Sequence, residues 1–233
     1  MKNQNKTSEW YDALNEISQL LAEMDDMPFF LDSGTLLGFI RSDDFIEWDN
    51  DIDIGIINYG QQSKDLIARL KTIYGSLLVT KWAAYVTISG INIGINFYNL
   101  ENGYFITNYW RPKIPNTNLV NKALLTLSLQ KQGVIKERAY PGLFGRYKNI
   151  LVAGLSALLP KRIAAGFAAT HIEMLESKID KVILEQQISY QTDLIYTKVP
   201  KMYLDYLLLK YGKDWRVPKK NYVYFEDDGS LVR

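Results

Sequence analysis

The sequence predicts an α+β fold, with helices interleaved with a β-sheet in the first half and a largely helical second half. Three observations predict it. Trp10, Leu14, Ile17, Leu21 and Met24 recur three and four residues apart, the spacing of one helix face. Residues 49–56 alternate polar and aliphatic side chains, the period of a strand with two unlike faces. After Trp110 the prolines at 112 and 115 break the strand pattern, and the residues beyond them read mostly as helix. Hydrophobic residues make up 47% of the 233, enough to bury a substantial core.

Element by element, a helix is expected over 8–24, closed before Pro28, then a short buried strand at 29–31. Ser33-Gly34-Thr35 reads as a turn into a short helix at 36–40, followed by a polar loop over 42–48 and the alternating strand 49–56. Leu66, Ile67, Leu70 and Ile73 place a helix over 63–74. Strands come next at 77–81, 85–89, 91–98 and 104–107, with Gly90 and Asn102-Gly103 supplying turns. From about 120 to 187 the chain reads as helix, interrupted near Pro141-Gly142 and Pro160, and a last helix covers 202–210. Residues 1–115 therefore form the α/β core and 116–233 a helical region packed on it. The boundary is soft, and the halves are expected to share one core.

Composition removes several classes. Basic and acidic residues nearly cancel, 27 against 26, which argues against a protein that coats nucleic acid. The absence of cysteine excludes disulfides, zinc–thiolate sites and thiol nucleophiles, and the single histidine, His171, excludes a multi-histidine metal site. His171 is expected to be structural. The sixteen tyrosines suit cores and interfaces as well as ligands and point nowhere in particular. The N-terminus shows no secretory pattern. The longest apolar stretch, 150–159, is shorter than the ~20 residues of a membrane span. A soluble or peripheral protein is expected. Residues 144–167 mix apolar side chains with Arg146, Lys148, Lys161 and Arg162, a pattern shared by core helices and by amphipathic helices at a membrane interface.

Two features carry chemistry. On a strand, Asp49, Asp51 and Asp53 at i, i+2 and i+4 share one face, while Ile52, Ile54 and Ile56 take the other. Three carboxylates on one face repel one another, and a hard divalent ion relieves the repulsion. Mg²⁺ fits, because it takes one or two carboxylates plus water and substrate phosphate, and Mn²⁺ is able to replace it. The plain alternative is a charged edge strand that guards against aggregation. The second feature is Gly34, 17 residues before Asp51. Backbone N–H groups at a helix start attract phosphate, and the Ser33 and Thr35 hydroxyls are suited to bonding its oxygens. Alone, this is an ordinary N-cap. A phosphate-holding turn and a metal-holding carboxylate pair are together the parts of phosphoryl transfer.

The residues that carry these features fall in two longer runs. The first spans Phe30-Leu31-Asp32-Ser33-Gly34-Thr35-Leu36-Leu37-Gly38-Phe39-Ile40-Arg41 and Phe45-Ile46-Glu47-Trp48-Asp49-Asn50-Asp51-Ile52-Asp53-Ile54-Gly55. The second is Tyr203-Leu204 followed by Tyr211-Gly212-Lys213-Asp214-Trp215. Together they resemble the LicD family, which includes bacterial phosphocholine transferases and is related to the fukutin group. The resemblance implies a nucleotidyltransferase-like fold with a mixed β-sheet core. It implies transfer of a phospho-alcohol from a CDP-activated donor to a hydroxyl of a cell-surface glycan of lipopolysaccharide, capsule or teichoic acid type. By the same resemblance Asp51 and Asp53 hold the metal, Gly34 and Thr35 face the donor phosphates, and Arg41 belongs to the same motif. The Arg41 guanidinium is suited to clamping a phosphate oxygen, the alternative being a surface ion pair with Asp43 or Asp44. The acceptor is expected to be a glycan, lipid-carried if residues 144–167 meet a membrane, and the location cytoplasmic, extending to the inner membrane face. Trp215 is expected to close the C-terminus onto the core.

Two positions depart from the family pattern. Asn50 replaces an aspartate in a position of little consequence. Asn96 stands where relatives often carry a carboxylate, and an amide cannot act as a base. That leaves Asp49 as the candidate base. Three other readings stay open: a nucleotidyltransferase that releases pyrophosphate, a metal-dependent glycosyltransferase using the Asp-x-Asp pair, and a degenerate nucleotide-binding domain without turnover.

Overall fold

The computed structural model describes residues 6–24, 27–58, 60–75, 77–114, 118–139 and 142–232, with the backbone alone for 112, 119, 137–139 and 142–149. The expectations resting on residues 1–5, on Pro115 and Pro141, and on the side chains of Arg146 and Lys148 lie outside the described residues.

The first half follows the sequence pattern closely. Helix α1 (Ser8–Ala22) buries Leu14, Ile17 and Leu21 and leads to β1 (Phe29–Leu31). Helix α2 (Ser33–Ser42) comes next, then β2 (Asp51–Ile57) and α3 (Gln61–Tyr74). Strands β3 (Leu77–Thr80), β4 (Ala83–Ile88), β5 (Ile91–Glu101) and β6 (Tyr104–Pro112) complete it. Two expectations need correction here. Ser33-Gly34-Thr35 is not a turn before a helix but the first turn of α2 itself, because Asp32 caps the helix and accepts from the Ser33 amide. Asp49 and Asn50 lie outside β2, which starts at Asp51.

The second half is less helical than its sequence suggests. Helices α4 (Leu119–Lys131), α5 (Gly142–Leu158) and α6 (Lys161–His171) are present, with strand β7 (Ile135–Ala139) between the first two. Residues expected to continue as helix after His171 instead form β8 (Ile172–Asp180). The reason lies in a short alternation: Leu175, Ser177 and Ile179 alternate with exposed Glu176, Lys178 and Asp180, so a partner strand buries one face. A short helix α7 (Lys181–Leu184), a hairpin of β9 (Gln187–Gln191) and β10 (Tyr196–Pro200), helix α8 (Tyr203–Tyr211) and a final turn α9 (Tyr224–Asp227) end the chain.

The main sheet has eight strands and is mixed. Its order runs β1-β2-β5-β4-β3-β7, with β6 paired to the far end of β5 and β8 paired along β6. Only the β2–β5 pair is parallel among these described pairings, aligning Asp53 with Gly94 and Gly55 with Asn96. One face carries Ile52, Ile54, Ile56, Ile93, Ile95 and Phe97 into the core, with α1 and α3 contributing apolar side chains to the same cluster. The opposite face carries Asp51 and Asp53. Trp215 is buried in the main core and ties the C-terminal segment to it. A satellite cluster of Leu129, Ile135, Ala168 and Ile172 packs α4 and α6 against Trp110 of β6. His171 ends α6 with its ring stacked on Phe167 at 3.9 Å and Nδ1 2.8 Å from the Phe167 carbonyl, a structural role.

Candidate active site

The sheet's acidic face floors a cleft of about 1000 Å³. Asp51 and Asp53 form the floor, Ser33, Gly34 and Arg41 of α2 one wall, and α8 with the segment after it the other. Aromatic rings surround it, among them Trp48, Tyr85, Tyr109 and Trp110. Lys220 reaches across from the C-terminal segment to lie 5.1 Å from the Trp48 ring centroid, linking the two rims.

Glycines make the floor accessible. A β-carbon at Gly34 would overlap the Asp49 carboxylate, and one at Gly94 would sit 3.1 Å from Asp53 Oδ1. Asp49, though outside the strand, is thus seated between the start of α2 and the strand's carboxylates. Its side chain accepts from the Asn50 amide at 3.0 Å, and Lys6 donates to its backbone carbonyl. Burial and then the Asp51 charge push Asp49 up to about 6. Asp53 lies well above the usual carboxylate range, first from burial and then from the charges of Asp51, Asp32 and Asp49, with Lys210 opposing. Crowded carboxylates of this kind favour a cation. Among the described residues no three His, Cys, Asp or Glu side chains form a ready-made metal cage. The Asp51–Asp53 pair nevertheless suits Mg²⁺, which takes few protein ligands and completes its shell with water and phosphate.

The other expected residues separate clearly. Ser33 and Gly34 line the cleft, as does Arg41. Thr35 does not: it is buried, and its hydroxyl accepts from the Asp53 amide at 2.8 Å, clamping α2 to β2 rather than facing a ligand. Arg41 is half-buried, and the alternative of an ion pair with Asp43 or Asp44 is not formed. Those carboxylates accept instead from Tyr190 at 2.7 Å and Tyr11 at 2.5 Å.

At the base of the cleft lies a buried polar network that the local sequence pattern did not expose, and its members Asn96, Tyr109, Lys210 and Asp228 also line the cleft. Asp32, fully buried, accepts from Asn96 Nδ2 at 2.9 Å, from the Tyr98 hydroxyl at 3.0 Å and from the Tyr206 hydroxyl. This accounts for Asn96. A carboxylate already occupies the spot, so its neighbour must be a donor, and an aspartate there would set two buried acids together. One helical turn beyond Tyr206, Lys210 donates to Ser33 Oγ at 3.0 Å and to the Tyr109 hydroxyl at 3.2 Å, and pairs with Asp228 Oδ2 at 3.3 Å. Ser33 has a left-handed φ of 44°, unusual for a residue with a β-carbon. Asp32, Tyr206 and Lys210 brace that corner and aim the start of α2 at the cleft. The one sequence sign of this brace is the i, i+4 spacing of Tyr206 and Lys210 on α8.

Acids on the floor, a helix start and an arginine on the wall, and aromatic and basic rims make a receptacle for a phosphate-bearing ligand with an aromatic or cationic part. Residues 26–126 match the family described as LicD/FKTN/FKRP, nucleotidyltransferase domain. That segment of the chain is a LicD family domain, and it contains α2, β2 and β5 with their site residues. The match supports a transferase of the phospho-alcohol and glycan-modifying kind in general. The match ends before α8, so the bracing residues Tyr206 and Lys210 lie outside it. No curated protein matches the chain.

Proposed function

We propose that the chain transfers a phospho-alcohol, such as phosphocholine, from a CDP-activated donor to a hydroxyl of a cell-surface glycan of the lipopolysaccharide, capsule or teichoic acid type. The observation that carries this reading is the placement of Asp51 and Asp53 on the floor of a cleft whose wall is Ser33, Gly34 and Arg41. Its volume, about 1000 Å³, matches the upper range of small-molecule sites and suits a dinucleotide-sized donor beside an acceptor end.

In this reading Asp51 and Asp53 hold Mg²⁺, or Mn²⁺ in its place. When bound, the ion neutralises charge on the donor's pyrophosphate. Arg41 and the backbone at Gly34 bind the phosphoryl oxygens and stabilise the charge that grows on them. Asp49, against the start of α2, takes the proton of the acceptor hydroxyl. That oxygen attacks the phosphorus bearing the alcohol, the bond to the bridging oxygen breaks, and CMP leaves. The aromatic rim receives the cytosine or the alcohol head, cation–π contact being available to a quaternary ammonium.

The test is a thermal-shift panel with CDP-choline, CDP-ethanolamine, CDP-ribitol, CDP-glycerol, CMP and UDP-sugars, with and without Mg²⁺, on wild type and Asp51→Asn. A ligand at a hundredfold excess over its dissociation constant adds ~2.7 kcal/mol. A shift by one CDP-alcohol that needs both Mg²⁺ and Asp51 supports the proposal, with CMP as the expected product on turnover. A shift by UDP-sugars alone, or pyrophosphate as product, replaces it with a glycosyltransferase or nucleotidyltransferase. Donor binding without product in the presence of acceptor glycans supports a degenerate binding domain.

A further inference from the structure

The helical layer presents an apolar, acid-free surface. From Arg138 to Ile172 the chain holds no aspartate or glutamate but carries Arg138, Arg146, Lys148, Lys161 and Arg162. Within it, Leu151, Leu155 and Leu158 recur at helical spacing on the outer side of α5, and all are exposed, Leu158 at 80%. Ile150 is 71% exposed, and Ile163, on the first turn of α6, adds to the surface. The inner side of α5 is engaged: Ser156 is buried and bonds the Leu127 carbonyl of α4 at 3.2 Å. Lys161 and Arg162, both exposed, sit at the bend between the helices.

We infer that this face docks on an anionic lipid surface, with the apolar side chains of α5 and α6 in the headgroup boundary and Lys161 and Arg162 against lipid phosphates. Geometry favours lying on the membrane over crossing it. Among the described residues no single helix is long and apolar enough to span, and the segments 150–158 and 161–171 meet at 106°. The 17 residues of α5 reach only ~25 Å, short of the ~30 Å hydrocarbon core. Charge favours lipid over a second copy of the chain, since a two-fold contact through this face would bring the same cations together. The docked layer is joined to the cleft, because Trp110 packs on the satellite cluster and also lines the cleft wall. A lipid-carried acceptor would thereby be presented near the site. The docking itself does not depend on the identity of the donor.

The experiment is co-sedimentation of the full chain, without donor, with vesicles of phosphatidylcholine alone or mixed with phosphatidylglycerol. Binding to the anionic vesicles, weakened by salt, is expected. Each cation near an anionic surface contributes about fivefold, so Lys161→Gln/Arg162→Gln should lower partitioning roughly thirtyfold. Leu155→Asp/Leu158→Asp should abolish binding at low salt while leaving the melting curve unchanged, since both side chains are exposed. The inference is overturned if wild type stays in the supernatant with both vesicle types, or if the double cation variant binds undiminished. It is also overturned if light scattering shows a dimer that Leu155→Asp/Leu158→Asp dissociates.

Discussion

Replacing Lys210 by methionine removes the buried cation that ties α8 to the start of α2. Lys210 and Asp228 have side chains only 2% and 3% exposed, with Nζ 3.3 Å from Oδ2. Deleting one partner of such a pair leaves an uncompensated buried charge, at about 3–5 kcal/mol. Asp228 keeps hydrogen bonds from the Ser230 amide at 2.8 Å and hydroxyl at 2.6 Å, which places the expected loss near the lower end, about 3 kcal/mol. Against a total stability of about 5–15 kcal/mol, that is a large fraction. For a chain of this length it corresponds to a fall of roughly 6–12 °C in Tm. The measurement is urea denaturation of wild type, Lys210→Met, Asp228→Asn and the double variant. The double variant should recover at least half of the single loss, because neither charge is then stranded. The pH dependence has a definite sign. Burial pulls the Lys210 ammonium down, but Asp228 and the neighbouring Tyr109, Tyr206 and Asp32 outweigh it and raise its pKa well above the ordinary value. Its contribution is therefore fully present below the unfolded lysine value of about 10.4 and lost only as pH rises through the folded pKa. The Lys210→Met loss should be constant between neutral pH and about pH 9. A loss under about 1 kcal/mol, the scale of a surface pair, would refute the reasoning.

Three further outcomes are expected. Gly34→Ala pushes a side-chain tip, the Asp49 carboxylate, rather than backbone, so it should reduce turnover by at least tenfold while unfolding within about 1 kcal/mol of wild type; equal activity would show that Asp49 is free to move without consequence. Asp53→Asn replaces a carboxyl that burial and then three neighbouring acids make costly to ionise, so in EDTA it should melt higher than wild type, yet gain nothing from Mg²⁺; a lower melting point in EDTA contradicts the crowding argument. Asn96→Asp replaces the donor to Asp32 with a second buried acid and should destabilise by about 3 kcal/mol at pH 8 but less at pH 5, where a proton restores a donor; urea titrations at the two pH values decide it.

Most of the first half was legible in the sequence because its signals are local. Helix α1 and strands β2 to β6 are set by apolar periods that each element carries in its own residues, and the Asp51–Asp53 alternation already places both acids opposite the isoleucines. The α+β class and the LicD family domain were likewise readable from contiguous runs. The second half was read less well where burial depends on a distant partner. Strand β8 carries Ser177 at a core position, and its adjacent Met174 and Leu175 break a strict alternation, so its period becomes plain only with β6 alongside. Tertiary structure alone also decided what Thr35, Asn96 and Lys210 do. Thr35 faces β2 because α2 begins one turn earlier than its apolar residues suggest. Asn96 answers Asp32 across 64 residues and Lys210 answers Ser33 across 177. A hydrogen-bond partner at such a distance leaves no trace in local composition, since the pairing exists only once the chain has folded and water has been excluded from both groups.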